Sequence, residues 1–173
     1  MFTIPDPSEY PLFYKTYISK LPEGPIVDLL QQQMQELDSL LSSVPEDQAE
    51  KAYAPGKWTL KQALGHMIDT ERVMAYRCMC ISRGETKELP GFDENTYVLN
   101  SNFNERAIAS LLQEFKVVRA ATLGLIQTLN EEMIKRKGIA NGNPVTVNAL
   151  VGIIAGHLNH HLEIIRDRYL MVL

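Results

Sequence analysis

Four stretches of this chain repeat apolar residues every three or four positions, and turn signals separate them. In residues 24–43, Ile26, Leu29, Leu30, Leu37 and Leu40, with Gln33, trace one helical stripe. Pro25 suits a first helical turn, and Val44-Pro45 ends the segment. Residues 59–83 follow the turn signal Pro55-Gly56-Lys57, with Thr59 placed to cap and Gly84 to stop. Leu60, Leu64, Met67, Val73 and Met74 supply their apolar positions. In residues 104–129, opened by Asn102 or Asn104, Ile108, Leu111, Leu112, Phe115, Val118, Leu123 and Leu129 keep the helical period. A short helical or irregular segment, 130–138, and the turn Asn141-Gly142-Asn143-Pro144 precede the fourth stretch, 146–171. No convincing strand pattern accompanies them. Helices of this kind bury their stripes against one another, so the expected fold is an all-α four-helix bundle. The long connection 84–103 allows the second and third helices to run parallel, which gives an up-down-down-up topology. Residues 1–22 carry Pro5, Pro7, Tyr10, Pro11, Phe13, Tyr14, Tyr17 and Pro22. They read as an irregular arm packed on the bundle, with a cover over a substrate mouth as the alternative.

At 173 residues the chain is expected to form one domain, 1–173, with its own core. A net charge of −4 gives no sign of a nucleic-acid-binding surface. The densest basic run, Lys135-Arg136-Lys137, reads as a solvated helix end. No stretch approaches the roughly 18 apolar residues of a membrane span. Pro5, Asp6, Pro7 and Glu9 stand where a secretory signal needs an apolar core. The expectation is a cytoplasmic protein with neither membrane nor nucleic-acid partner. Cys78 and Cys80, two apart on a helix, point in different directions and read as small buried hydrophobes in a reducing compartment.

The histidines carry the functional signal. One is His66; the other three, His157, His160 and His161, lie within five residues. His157 and His161 are spaced i, i+4, one above the other on a helix. They fall on the stripe Leu150, Ile154, His157, His161, Ile164, Arg168, where a bundle would hold Leu or Ile. Burying them unpartnered would cost on the order of a few kcal/mol each. A third nitrogen from His66 would complete a metal site and leave positions open. His160 could instead chelate with His157, but it sits about 100° from His161 and is set aside as partly exposed or supporting. Neutral imidazoles favour Zn, Ni, Fe or Cu over Mg or Ca. Three of them leave the charge of a divalent ion uncompensated, so activation of water or a thiol is the natural chemistry. Asp69, one turn after His66, could orient an imidazole or act as a base, or be a plain helix acid. Asp93, Glu94, Asn95 and Tyr97 are the candidates of the 84–103 connection, and Glu163 and Asp167 are expected to form surface pairs with Arg166 and Arg168. His157-Leu158-Asn159-His160-His161 lacks the Glu of the zinc-protease motif. No Glu-x-x-His pair supports a di-iron site, and no phosphate loop or nucleophile elbow occurs.

Two segments carry a resemblance. Lys57-Trp58-Thr59-Leu60-Lys61-Gln62-Ala63-Leu64-Gly65-His66-Met67-Ile68-Asp69-Thr70-Glu71-Arg72 is similar to the second-helix signature of the DinB/YfiT-like family. Gly156-His157-Leu158-Asn159-His160-His161-Leu162-Glu163-Ile164-Ile165 is similar to its fourth-helix signature, and Leu89-Pro90-Gly91-Phe92-Asp93 resembles a loop in one branch. The resemblance implies an up-down-down-up four-helix bundle and a divalent metal, Zn or Ni, on His66, His157 and His161. It further implies homodimers acting on small molecules, among them transferases using low-molecular-weight thiols, a maleylpyruvate isomerase and metal-dependent hydrolases. The expected function is a metal-dependent hydrolase or thiol-dependent transferase, with a non-enzymatic metal-binding or stress-response module as the alternative.

Overall fold

The computed structural model describes residues 2–171. Its helices are α1 (Lys15–Ile18), α2 (Ile26–Leu41), α3 (Glu46–Ala49), α4 (Leu60–Ser82), α5 (Glu94–Leu99), α6 (Ile108–Gln127), α7 (Glu131–Ile134) and α8 (Val147–Ile164). Two short strands, β1 (Lys137–Ala140) and β2 (Asn143–Thr146), lie between α7 and α8, and a π-helical turn, Ile165–Tyr169, continues α8. Two of the long helices open on a side-chain cap, whereas α6 begins at Ile108 behind Ala107, without a side-chain cap bond, and not at Asn102 or Asn104. Thr59 and Gln62 exchange side-chain-to-backbone bonds in a capping box at the start of α4. Thr146 Oγ1 accepts from the Ala149 amide, 3.0 Å, to open α8.

Side-chain pairings give the helix directions. Lys61 of α4 meets Asn104 just before α6, and Glu71 meets Arg119 further along both, so α4 and α6 run parallel. Asp38 near the end of α2 pairs with Lys116 while Leu30 near its start meets Arg119, so α2 opposes α6. Gln33 bonds Ala155, and Glu36 pairs with Arg166 further on, so α2 and α8 are parallel. The bundle is up-down-down-up, as expected.

One buried polar network ties all four long helices together. The Arg119 guanidinium makes two 2.8 Å bonds to the Glu71 carboxylate and donates to Leu30 O at 2.8 Å and Gln33 Oε1 at 3.1 Å. Gln33 in turn donates to Ala155 O, 2.7 Å, and Asn159 Oδ1, 2.5 Å. Apolar clusters lie on either side of it, one around Leu64, Leu111, Phe115 and Leu158, the other around Leu30, Ile126, Val151 and Ile154.

The structure departs from the sequence reading in several further places. Residues 130–146 are α7 and a β-hairpin whose two-residue loop, Asn141-Gly142, has positive φ at both positions. Asn-Gly is a strong hairpin signal, but four-residue strands are too short to show alternation. The 84–103 connection contains α5, capped by Asp93, and Leu89 bonds into the hairpin. The arm is not irregular throughout: it forms 3-10 turns at Pro7–Glu9 and Leu12–Tyr14 and then α1, and Glu9 accepts from the Thr146 hydroxyl at 2.7 Å. The arm packs on the outer side of α8, which is therefore buried on every side from Val147 to Leu158. Lastly, Arg168 is exposed rather than inward, because the π-helical turn advances the register and turns Ile165 and Tyr169 into the core. Glu163 and Arg166 do form surface pairs, but with Lys20 and Glu36 on other elements.

Among the described residues no helix is long and apolar enough to cross a membrane. Cys78 and Cys80 are both free thiols, and burial pushes the Cys78 thiol up to about 12.

Candidate metal centre

Three imidazoles converge between α4 and α8. His66 sits two turns into α4, and the i, i+4 pair His157 and His161 faces it from α8. The Nε2 atom of His157 lies 3.0 Å from that of His66 and 3.1 Å from that of His161. All three rings are buried. His157 Nε2 carries one hydrogen or one lone pair, so it cannot satisfy two ring nitrogens at once. A cation accepting a lone pair from each ring satisfies all three. Tetrahedral zinc with bonds of about 2.0–2.1 Å sets neighbouring nitrogens about 3.3 Å apart, close to what is seen here. The donor set therefore fits a divalent transition metal, and among the described residues these three are the group that could hold an ion.

The surroundings fix the rings. Thr70, one turn after His66, places its hydroxyl 3.5 Å from His66 Nδ1. Trp58 stacks obliquely on His66 with ring centroids 4.7 Å apart, and Tyr17 meets His157 edge-on at 5.2 Å. His160 lies beside Tyr17 at the surface and does not join the converging nitrogens. Asp69 is held by Arg72 at 3.5 Å and touches none of the rings.

Burial keeps the imidazoles neutral. It lowers the His66 pKa from 6.5 to about 4, and it pulls His157 and His161 well below the ordinary histidine range, helped by the neighbouring rings. An unfolded chain takes up protons at these sites below about pH 6.5; the folded one does not until near pH 4 at His66. Metal-free protein should therefore hold its full stability above pH 6.5 and lose it progressively as the pH falls toward 4. Thermal melts across that range check this; a flat profile would contradict it.

Two cavities reach the cluster. One of about 320 Å³ is lined by His66, His157, Thr70 and Arg77, by Tyr14 and Tyr17 of the arm, and by Phe92 and Glu94. The other, about 260 Å³, is lined by His161, Trp58, Lys57, Tyr53, Tyr169 and Asn95. Glu94 and Asn95 of α5 thus serve different cavities, whereas Asp93 caps the helix and Tyr97 packs on Phe92. The sequence reading passed over Thr70, Trp58 and Arg77. Thr70, Met74 and Arg77 follow His66 at steps of four, four and three, the spacing of one helix face, and that was the available signal.

Fold and centre together define a class: an up-down-down-up four-helix bundle with a three-histidine cluster shared by its second and fourth long helices. The chain belongs to the DinB superfamily, whose family model matches residues 29–165. A protein of Oceanobacillus iheyensis named "putative metal-dependent hydrolase" is 22% identical over 131 residues, 75% of each chain. Among solved structures, YfiT from Bacillus subtilis, described as "a probable metal-dependent hydrolase with an unusual four-helix bundle topology", superposes with a TM-score of 0.71 at 19% identity, covering 85% of this chain and 90% of YfiT. The mycothiol-dependent maleylpyruvate isomerase superposes with a TM-score of 0.67 at 14% identity, covering 86% of this chain and 62% of the isomerase.

Proposed function

We propose that the chain is a metal-dependent enzyme acting on small molecules, with His66, His157 and His161 holding one divalent transition metal, zinc or nickel. The observation that carries this reading is the convergence of three buried Nε2 atoms lining two cavities. When bound, such an ion supplies a Lewis acid that lowers the pKa of a thiol or a water. The chain's own residues do the rest. Burial holds the three imidazoles neutral, so their lone pairs stay available at neutral pH. Thr70 orients His66, and Trp58 and Tyr17 keep bulk water off the rings.

Two cavities suit a reaction with two organic reactants, which favours thiol transfer. A thiol sulfur would form a bond to an electrophilic carbon, the leaving group would depart with the bonding pair, and the thiol proton would pass to solvent. Hydrolysis is the second reading, supported by the names of the Oceanobacillus and Bacillus relatives. A non-enzymatic module remains the alternative to both, and a metal found with a fourth protein ligand and no exchangeable position would favour it. In the same reading the protein is cytoplasmic and forms a homodimer.

His157→Ala and His161→Ala should each reduce bound metal from one equivalent per chain to under about a tenth, measured by elemental analysis. Wild-type metal content in both variants would overturn the assignment. Bacillithiol, mycothiol and glutathione, each offered with a fluorogenic chlorobimane, separate the chemistries. Metal-dependent conjugation with one of them supports transfer; no turnover with any of the three moves the reading to hydrolysis.

A further inference from the structure

Arg77 is a buried cation with no carboxylate within ion-pair distance among the described residues; the acid of its cavity lining is the exposed Glu94. Arg77 is 3% exposed and lines the larger cavity beside His66 and His157. Its Nη2 donates to Pro90 O at 2.8 Å, Nη1 lies 3.7 Å from the Met74 sulfur, and the Tyr14 hydroxyl stands against the guanidinium. Its Nε is buried with no hydrogen-bond partner. The Phe92 ring, 6.0 Å to its centroid, is a weak substitute for a carboxylate. Arg119, equally buried, shows what the fold does with a structural arginine: two bonds to Glu71 and two more to oxygens of α2. A guanidinium this buried whose partners are a carbonyl, a thioether, a hydroxyl and a distant ring keeps an uncompensated charge that an anionic ligand would neutralise.

We propose that Arg77 is the recognition group for the carboxylate of a substrate that occupies the larger cavity. This rests on reading that cavity as the approach to the three-histidine centre. Arginine presents planar, paired donors that match a carboxylate. The Tyr14 hydroxyl lies against the same guanidinium, so a carboxylate would find a neutral donor next to the charged one. His66 and Arg77 are eleven positions apart on α4, about 16 Å along the axis, and the arginine leans back toward the helix N-terminus. A ligand joining the two needs a body between its carboxylate and its reacting end. Tyr17, Phe92, Met74 and Ile153 wall that span, so the body is apolar or aromatic. Glu94 also lines the cavity and is exposed, which disfavours a second negative charge on the ligand. The class is a monocarboxylate with an apolar body.

Phenylbutyrate and its neutral amide, phenylbutyramide, are suitable probes. Titrations into chelator-treated protein remove any ion at the histidines, so the result stands apart from the fate of the metal assignment. The acid should bind at least tenfold more tightly than the amide, and Arg77→Gln should abolish that preference. In the wild type, phenylbutyrate should shift the Arg77 Nε–H resonance, a readout that needs no variant to fold. Because Arg77 has no carboxylate partner among the described residues, Arg77→Met should melt within a few degrees of wild type, whereas Arg119→Met should melt far lower. Equal binding of acid and amide, an unchanged Arg77 resonance, or an Arg77→Met variant as unstable as Arg119→Met would each overturn the proposal.

Discussion

Glu71→Ala is expected to cost about 3–5 kcal/mol of stability, the usual range for removing one partner of a buried ion pair. Arg119 is fully buried, and its charge has Glu71 as its sole carboxylate partner among the described residues. With the carboxylate gone, the guanidinium keeps only Leu30 O and Gln33 Oε1, both neutral. Gln33 also bridges to Ala155 and Asn159, so the loss reaches a contact of all four long helices. For a chain of this length the melting point should drop by on the order of 10 °C. Chemical denaturation gives the same quantity at 25 °C. The double variant Glu71→Met/Arg119→Met should recover most of the loss, since replacing both charges by apolar groups leaves no bare ion. A single-variant loss below 1 kcal/mol would show that water reaches the pair.

Gly156→Ala should destabilise the protein although alanine is the better helix former by about 1 kcal/mol. A Cβ at Gly156 would stand 2.2 Å from the Tyr17 carbonyl oxygen and 2.6 Å from its carbonyl carbon. Those are backbone atoms of the arm, which cannot rotate aside as a side chain can, so the arm itself must lift. Overpacking of this kind costs about 1–3 kcal/mol. It should also expose the chain before α2 to faster limited proteolysis, because the arm carries Tyr14 and Tyr17 over the larger cavity. Gly124→Ala on α6 is the matched control. Its Cβ meets nothing within 4 Å, so that variant should gain up to about 1 kcal/mol. Equal gains at both positions would mean that the arm is not docked on Gly156 in solution.

The long helices were readable because each repeats apolar residues at the helical period; α4 also carries a chemical start signal in Thr59 with Gln62, whereas α6 starts behind Ala107 with none. The short elements were not. α5, α7 and the hairpin strands are four to six residues long, less than two periods of a helix or a few of a strand. The inward stripe assigned to the fourth helix held through His161 and then failed at Arg168. A π-helical turn depends on a local change of hydrogen bonding that the residue pattern does not announce. Burial of α8 on all sides was likewise hidden, since it depends on the arm returning to cover a second face.

The sequence by itself determined the bundle, its helix order and the stacking of His157 over His161, because helical periodicity and the i, i+4 spacing are local geometry. It could also mark His66 as the odd imidazole of the second helix. Only the tertiary structure decided that α4 and α8 bring the three Nε2 atoms to one point, that two cavities reach them, and that Arg119 has a carboxylate partner while Arg77 has none among the described residues. Both arginines sit on apolar helix faces and look alike in the chain. Their difference is whether a carboxylate from another helix arrives within 4 Å, and that depends on packing between segments 48 residues apart rather than on any neighbour in sequence.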